Sequence, residues 1–167
     1  VYASTRISEA YMLEGFDCGQ PSLNRWLSSA ALTSDRMGSA RTYLWTEEPA
    51  MAVVAYFSLC PHEVRRDDVP TSLTRGAPRA IPAILLARLA LDLRLHGQGL
   101  GSALLLDALD RAAAAVEIAG GRLIVVDAID EPARRFYEHH GFRALPSRPA
   151  RLFRKASDVM TAIGQLN

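Results

Sequence analysis

The chain has 167 residues, 49% hydrophobic and 22% charged, with a formal net charge of +1; this is the profile of one ordinary globular domain and excludes a fibre or a disordered tail. The near-neutral balance makes no global case for nucleic-acid binding, and the two cysteines, Cys18 and Cys60, form neither a zinc-ligand pattern nor a disulfide framework. Residues 1–14 hold no apolar run of signal-peptide length and no stretch approaches a membrane span, so a single cytoplasmic domain over residues 1–167, without membrane association, is expected.

Residues 4–13 read as a short strand. Pro21 opens a helix running to residue 32, with Leu23, Trp26, Leu27 and Ala30 on one face. Residues 41–46 and 51–60 are apolar, aromatic and β-branched, and the turn-like Glu47-Glu48-Pro49-Ala50 joins them as a hairpin. Residues 61–82 carry four prolines and four arginines and read as a long irregular connection. An apolar run at 84–93, broken only by Arg88 and Asp92, fits a central strand.

From residue 99 to 119, Leu100, Leu104, Leu105, Ala108, Leu109, Ala112 and Val116 recur at helical spacing, and Gly120-Gly121 ends the pattern. Residues 122–128 make another buried strand. Asp130 then caps a short helix with Pro132 in its first turn, closed after His140 by Gly141. A last strand lies near residues 151–155. The strand-helix-strand spacing predicts parallel pairing across the long helix. With the antiparallel hairpin before it, this gives an α/β (α+β) fold built on a mixed central sheet flanked by helices.

The chemistry concentrates at the start of the long helix. His96-Gly97-Gln98-Gly99-Leu100-Gly101-Ser102 puts three glycines between a buried strand and a helix N-terminus, where unpaired backbone amides and the positive end of the helix dipole favour an anion such as a pyrophosphate. A P-loop would need lysine before Ser102, and a dinucleotide fingerprint would need glycine at 102. Both readings fail. A plain tight turn remains open, although three alternating glycines exceed what a turn needs.

Residues 91–101 resemble motif A of the GNAT acetyltransferases, with His96 where that family usually has Arg or Gln. About 30 residues on, Asp130-Glu131-Pro132-Ala133-Arg134-Arg135-Phe136-Tyr137-Glu138-His139-His140-Gly141-Phe142 resembles motif B, with Asp130 where Asn is frequent. The resemblance implies a GNAT fold whose parallel central strands splay, acetyl-CoA as acetyl donor and no metal. It implies backbone contacts from Leu91 and Leu93 to the pantetheine arm, phosphates held at residues 96–102, and further cofactor contacts from Asp130 and Phe136. It also implies Tyr137 as the general acid that protonates the departing thiolate, since a phenol of reference pKa near 10 keeps its proton at neutral pH.

His139 and His140 occupy adjacent helical positions that point apart, and no acidic cluster completes a metal site around them. His62 and Glu63 are candidates for a substrate mouth.

The segment Gly15-Phe16-Asp17-Cys18-Gly19-Gln20-Pro21-Ser22-Leu23-Asn24-Arg25-Trp26-Leu27 is similar to the opening of one GNAT branch, the toxins of bacterial toxin-antitoxin pairs. That likeness implies acetylation of the α-amino group on charged tRNA, a homodimer, and a ribbon-helix-helix antitoxin as partner. The amine of an aminoacyl ester should be less basic than a lysine amine, so a strong general base is dispensable.

Charge placement agrees with an RNA substrate. Between His139 and Ser157 there is no carboxylate. Arg65, Arg66, Arg75, Arg79, Arg143, Arg148, Arg151 and Arg154 are candidates for a tRNA track. Acetylation of a small amine or a protein lysine, and a non-catalytic acyl-CoA-binding domain, are the rival readings.

Overall fold

In the computed structural model, which describes residues 1–166, the chain forms two compact units: residues 1–60 with 87–109, and residues 61–86 with 110 onward. Seven strands make a mixed sheet, and β3 (Ala52–Arg65), β4 (Ala80–Leu91) and α3 (Leu100–Ala119) run through both units.

In the first unit β1 (Thr5–Arg6) pairs antiparallel with β2 (Arg41–Glu47), and β2 with β3. α1 (Pro21–Ser29) and α2 (Ala31–Arg36) precede β2. The core here gathers Phe16, Leu27, Leu44, Val53, Tyr56 and Ala90, each large side chain contributing about 1.5–3 kcal/mol on burial. The strand expected over 4–13 shrinks to two residues and a bridge from Met12 to Ala52. Its middle turns out of the ladder where the Ser8 hydroxyl accepts the Ala10 N–H. The helix expected over 21–32 breaks at Ala30 (φ −129°) and restarts; the Ser28 and Ser29 hydroxyls donate to the Arg25 carbonyl and compete with the ladder in that last turn.

In the second unit β4 runs parallel to β5 (Leu123–Asp127), with Ala83 opposite Leu123 and Leu86 opposite Val126. β7 (Arg148–Lys155) pairs antiparallel with β5 and with β6 (Arg143–Leu145). Parallel pairing stops at Leu86–Val126, next to the end of β5 at Asp127, while β4 itself continues to Leu91. Val64, Ile81, Leu123, Val125 and Phe153 form this unit's core. α4 (Glu131–His139) and α5 (Ala156–Gly164) complete it.

The irregular connection expected over 61–82 is confined to residues 66–79, because β3 extends to Arg65 and β4 starts at Ala80. Pro82 is tolerated in the strand since it offers only a carbonyl, which accepts the Arg122 N–H at 2.8 Å. Two elements were absent from the sequence reading. β6 is too short to show a period, whereas α5 did carry one, in Ala156, Val159, Met160 and Ile163.

Candidate active site

The glycine loop follows β4 through a single 3-10 turn, Leu93–Leu95. Asp92, only 2% exposed, caps that turn: its Oδ1 accepts the Arg94 backbone N–H at 3.0 Å and Nε at 2.9 Å, and its Oδ2 accepts the Asp17 N–H at 3.3 Å. Burial alone would raise this carboxyl's pKa, but these donors outweigh it and hold the group below the usual carboxylate range.

Leu93 therefore lies just past β4, not on it as expected. Its N–H donates to the Asp17 carbonyl at 2.8 Å, and the side chain is 48% exposed. The Leu91 carbonyl accepts a hydrogen bond from His96 Nε2 at 2.8 Å. A carbonyl only accepts, so Nε2 carries the proton and His96 faces back toward its own strand.

Gly97 and Gly99 both sit at φ +75°, and a Cβ at either would meet nothing within 4 Å. Glycine is thus required by backbone conformation rather than by crowding, which leaves open space beside the loop. Gln98 Nε2 donates to the Arg94 carbonyl at 3.1 Å. α3 then starts with no acidic residue in its first turn, so no carboxylate of that turn offsets the positive end of a twenty-residue helix. A helix start of this kind suits an anion.

The segment around Cys18 is a brace for this end of β4. Asp17 Oδ1 accepts the Gly19 N–H and Asn24 Nδ2, both at 2.9 Å, and Asn24 Oδ1 accepts the Cys18 N–H at 3.0 Å. Gly19 (φ +84°) lets the backbone close on Leu93, whose Cδ2 lies 3.1 Å from where a Cβ would stand. The N-terminal motif and the strand that precedes the loop are one hydrogen-bonded assembly.

The second unit holds Tyr137. It lies on α4, 7% exposed, between Phe136 (ring centroids 5.4 Å apart) and Phe142 (5.7 Å). Burial and then the negative charge of Asp127 push its pKa up, so the phenol holds its proton throughout the neutral range. Asp130 caps α4, its Oδ1 accepting the Ala133 N–H at 2.9 Å. Phe136 packs on His140 at 4.6 Å, and the His140 Nδ1 bonds to the Phe136 carbonyl.

The sequence reading missed Asp127, the residue that organises this unit's polar cluster. Arg151 Nε and Nη2 each donate to it at 2.7 Å, and Arg151 Nη1 donates to His62 Nε2 at 3.0 Å. Guanidinium has no acceptor, so His62 Nε2 is unprotonated and Nδ1 carries the imidazole proton. Burial first, then the Arg151 charge, lower the His62 pKa. His62 is therefore a neutral hydrogen-bond donor at Nδ1, not a base at Nε2. The available signal was register: Asp127 pairs with Arg151 across β5 and β7.

The candidate RNA arginines divide into two sets. Arg151 is consumed by Asp127 and His62, its side chain 15% exposed, and Arg154 donates to the His140 carbonyl at 3.1 Å while packing against Gly141. Arg65, Arg66, Arg75, Arg79, Arg143 and Arg148 are exposed. Glu63 is also exposed. Among the described residues no cluster of three or more His, Cys, Asp or Glu is placed to hold a metal, and no helix is long and apolar enough to cross a membrane.

Residues 41–144 match the acetyltransferase (GNAT) domain family. The chain is 36% identical to the tRNA-acetylating toxin of Mycobacterium tuberculosis over 97% of its own length and 96% of that protein. Among solved structures, AtaT complexed with acetyl-methionyl-tRNAfMet has a TM-score of 0.89 at 28% identity, covering 97% of this chain and 99% of that one. A tyrosine-to-phenylalanine mutant of AtaT, bound to the C-terminus of the antitoxin AtaR and acetyl-CoA, gives 0.82 at 26% identity with 99% of each chain covered.

Proposed function

The chain belongs to the GNAT acetyltransferases, and we propose that it is a toxin that moves an acetyl group from acetyl-CoA to the α-amino group of the amino acid on charged tRNA, which blocks peptide-bond formation. It is an acetyl-CoA-dependent N-acetyltransferase. In this reading residues 1–167 form a single acetyltransferase domain. The observation that carries the substrate is the 36% identity, over nearly the whole of both chains, to a tRNA-acetylating toxin.

The residues suit each requirement of the transfer. Acetyl-CoA supplies a thioester carbonyl and a thiolate leaving group. As the motif resemblance implies, the amides of residues 96–102 and the start of α3 would hold its phosphates, the backbone near Leu91 would align its pantetheine arm, and Asp130 and Phe136 would add cofactor contacts. As the amine nitrogen bonds to the carbonyl carbon and the carbon–sulfur bond breaks, the thiolate takes a proton from the Tyr137 hydroxyl, the amine gives up a proton to solvent water, and the tyrosinate regains one from solvent before the next turnover. The raised pKa of Tyr137 keeps the phenol protonated through the neutral range, so the hydroxyl has a proton to give. No strong base is needed at the acceptor, in keeping with a His62 locked as a donor.

Arg65, Arg66, Arg75, Arg79, Arg143 and Arg148 carry the tRNA backbone in this proposal. The cell-biological setting follows the substrate: a cytoplasmic toxin, working as a homodimer, restrained by a ribbon-helix-helix antitoxin. AtaT bound to the C-terminus of AtaR supports the antitoxin.

Transfer of radiolabelled acetyl from acetyl-CoA to total charged tRNA tests the reading, with deacylated tRNA, free amino acids and a lysine peptide as controls. Label on charged tRNA alone, released by ester hydrolysis as an N-acetyl amino acid, is the expected result. Label on the peptide or free amines alone would keep the acetyltransferase and discard the toxin.

A further inference from the structure

A cavity of about 510 Å³ opens in the second unit between the 66–79 connection, the starts of β4 and β5, the last turns of α3 and the start of α5. That volume falls within the range of about 300–1,000 Å³ typical of ligand sites. Its floor is aliphatic, from Ile81, Leu123, Val116 and Met160. Three cations line it, Arg75, Arg122 and Lys155, with the hydroxyls of Ser72 and Ser157, and no carboxylate is among the lining residues.

Arg6, Arg36, Arg94, Arg134 and Arg151 all pair with carboxylates. Among the described residues no ion pair joins Arg75, Arg122 or Lys155 to an acid; the Arg122 guanidinium donates through Nη1 in a long bond, 3.4 Å, to the Gly76 carbonyl. Three uncompensated cations around one concavity repel each other, and an anion relieves that repulsion.

We infer that this cavity is an RNA-docking site outside the acetyl-transfer chemistry: it takes one nucleotide unit of tRNA, with its phosphodiester at Arg75, Arg122 and Lys155 and its ribose against the aliphatic floor. The inference rests on the tRNA substrate proposed above and adds Arg122 and Lys155, which no motif contains, to the RNA-binding surface. Guanidinium forks and a lysine ammonium match phosphate oxygens, and phosphate contacts of this kind fix register without reading sequence.

The test is the affinity of the full-length protein for deacylated tRNA, followed by electrophoretic mobility across a salt series, for the wild type and for the double variant Arg122→Glu, Lys155→Glu. Acetyl-CoA affinity, measured alongside, reports the fold. The expected result is tRNA affinity about tenfold weaker or worse, with unchanged acetyl-CoA affinity.

Should the reversal cost the fold, the neutral pair Arg122→Gln, Lys155→Gln replaces it; its salt slope should fall by up to about one, for the single phosphate the cavity holds. Unchanged tRNA affinity and slope overturn the proposal. So does a cavity that AMP or an acidic peptide occupies while tRNA binding ignores both substitutions. A wild type that binds tRNA through these two residues but acetylates no charged tRNA would sink the proposed activity and leave the docking site standing.

Discussion

Arg151 grips Asp127 through two parallel hydrogen bonds of 2.7 Å and, with its remaining nitrogen, holds His62 at 3.0 Å. One guanidinium thereby fixes a carboxylate as charged and an imidazole as neutral, in the unit that carries Tyr137. The pKa directions follow: Asp127 is lowered chiefly by its hydrogen bonds from Arg151, and His62 is lowered by burial and then by the Arg151 charge. Arg151→Gln should raise the His62 pKa toward its usual value, near 6.5, which an NMR titration of the ring protons reads directly.

The same pair sets a stability trend. Unfolded His62 takes a proton as pH falls below about 6.5, whereas native His62 resists until its lower pKa is reached, so the unfolded state binds more protons and stability falls across that interval. Asp127 adds a contribution present above about pH 4 and lost as pH falls through its depressed native value. Wild type should therefore lose stability on acidification from pH 7 to 5, and Arg151→Gln should lose less over that interval. Urea midpoints at the two pH values decide this.

Tyr137→Phe keeps the ring between Phe136 and Phe142 and removes only the hydroxyl. In the proposed mechanism it should lower kcat by about 10²- to 10⁴-fold, the range ascribed to general acid catalysis, with acetyl-CoA affinity and thermal midpoint near wild type. Equal turnover would mean that the thiolate leaves without help from this residue.

Two glycine substitutions with similar dihedral angles should part in their effects. Gly99→Ala meets no atom within 4 Å, so its penalty is the positive φ alone, about 1–2 kcal/mol. The loop can relieve that strain by shifting its amides, and the loss should fall on acetyl-CoA affinity. Gly19→Ala adds a contact 3.1 Å from Leu93 Cδ2 to the same strain, inside a closed hydrogen-bonded brace. It should lower the thermal midpoint more than Gly99→Ala does. Calorimetry beside acetyl-CoA titration separates the two.

Much of the local geometry at the candidate site was legible because its signals are local. Glycines at 97, 99 and 101, Asp130 three residues before the amide it caps, and the period of α3 can each be read within a short window. What sequence reading lost depends on pairing between distant segments. The brace joining Asp17, Asn24 and Asp92, and the cluster of His62, Asp127 and Arg151, exist only once strands are in register. Proline counting also misled: Pro61 and Pro82 stand inside β3 and β4, where the missing N–H does no harm, so the connection looked longer than it is. Arginine counting also passes over pairing, because Arg151 is held by Asp127 and His62.

Asp92 offers a test of the brace itself. Its side chain is almost wholly buried and accepts hydrogen bonds from the Arg94 guanidinium and from two backbone amides, while its partner Arg94 is largely exposed. Asp92→Asn removes the charge from a set of donors arranged for an anion and turns an amide N–H₂ toward some of them. A loss of about 2 kcal/mol at pH 7 is expected, since charge-assisted bonds are worth roughly 1.5–3 kcal/mol each and asparagine retains part of the acceptor role. Wild-type Asp92 has a depressed native pKa, so its contribution is complete above the unfolded value, near 3.9, and fades as pH falls through the native one. The gap between wild type and variant should be full at pH 7 and narrower near pH 2. Because Asp92 holds the turn that leads into Gly97 and Gly99, acetyl-CoA affinity should fall with stability in this variant, in contrast to Tyr137→Phe. A variant as stable as wild type at pH 7 would show that the Asp17 segment stays in place without the carboxylate.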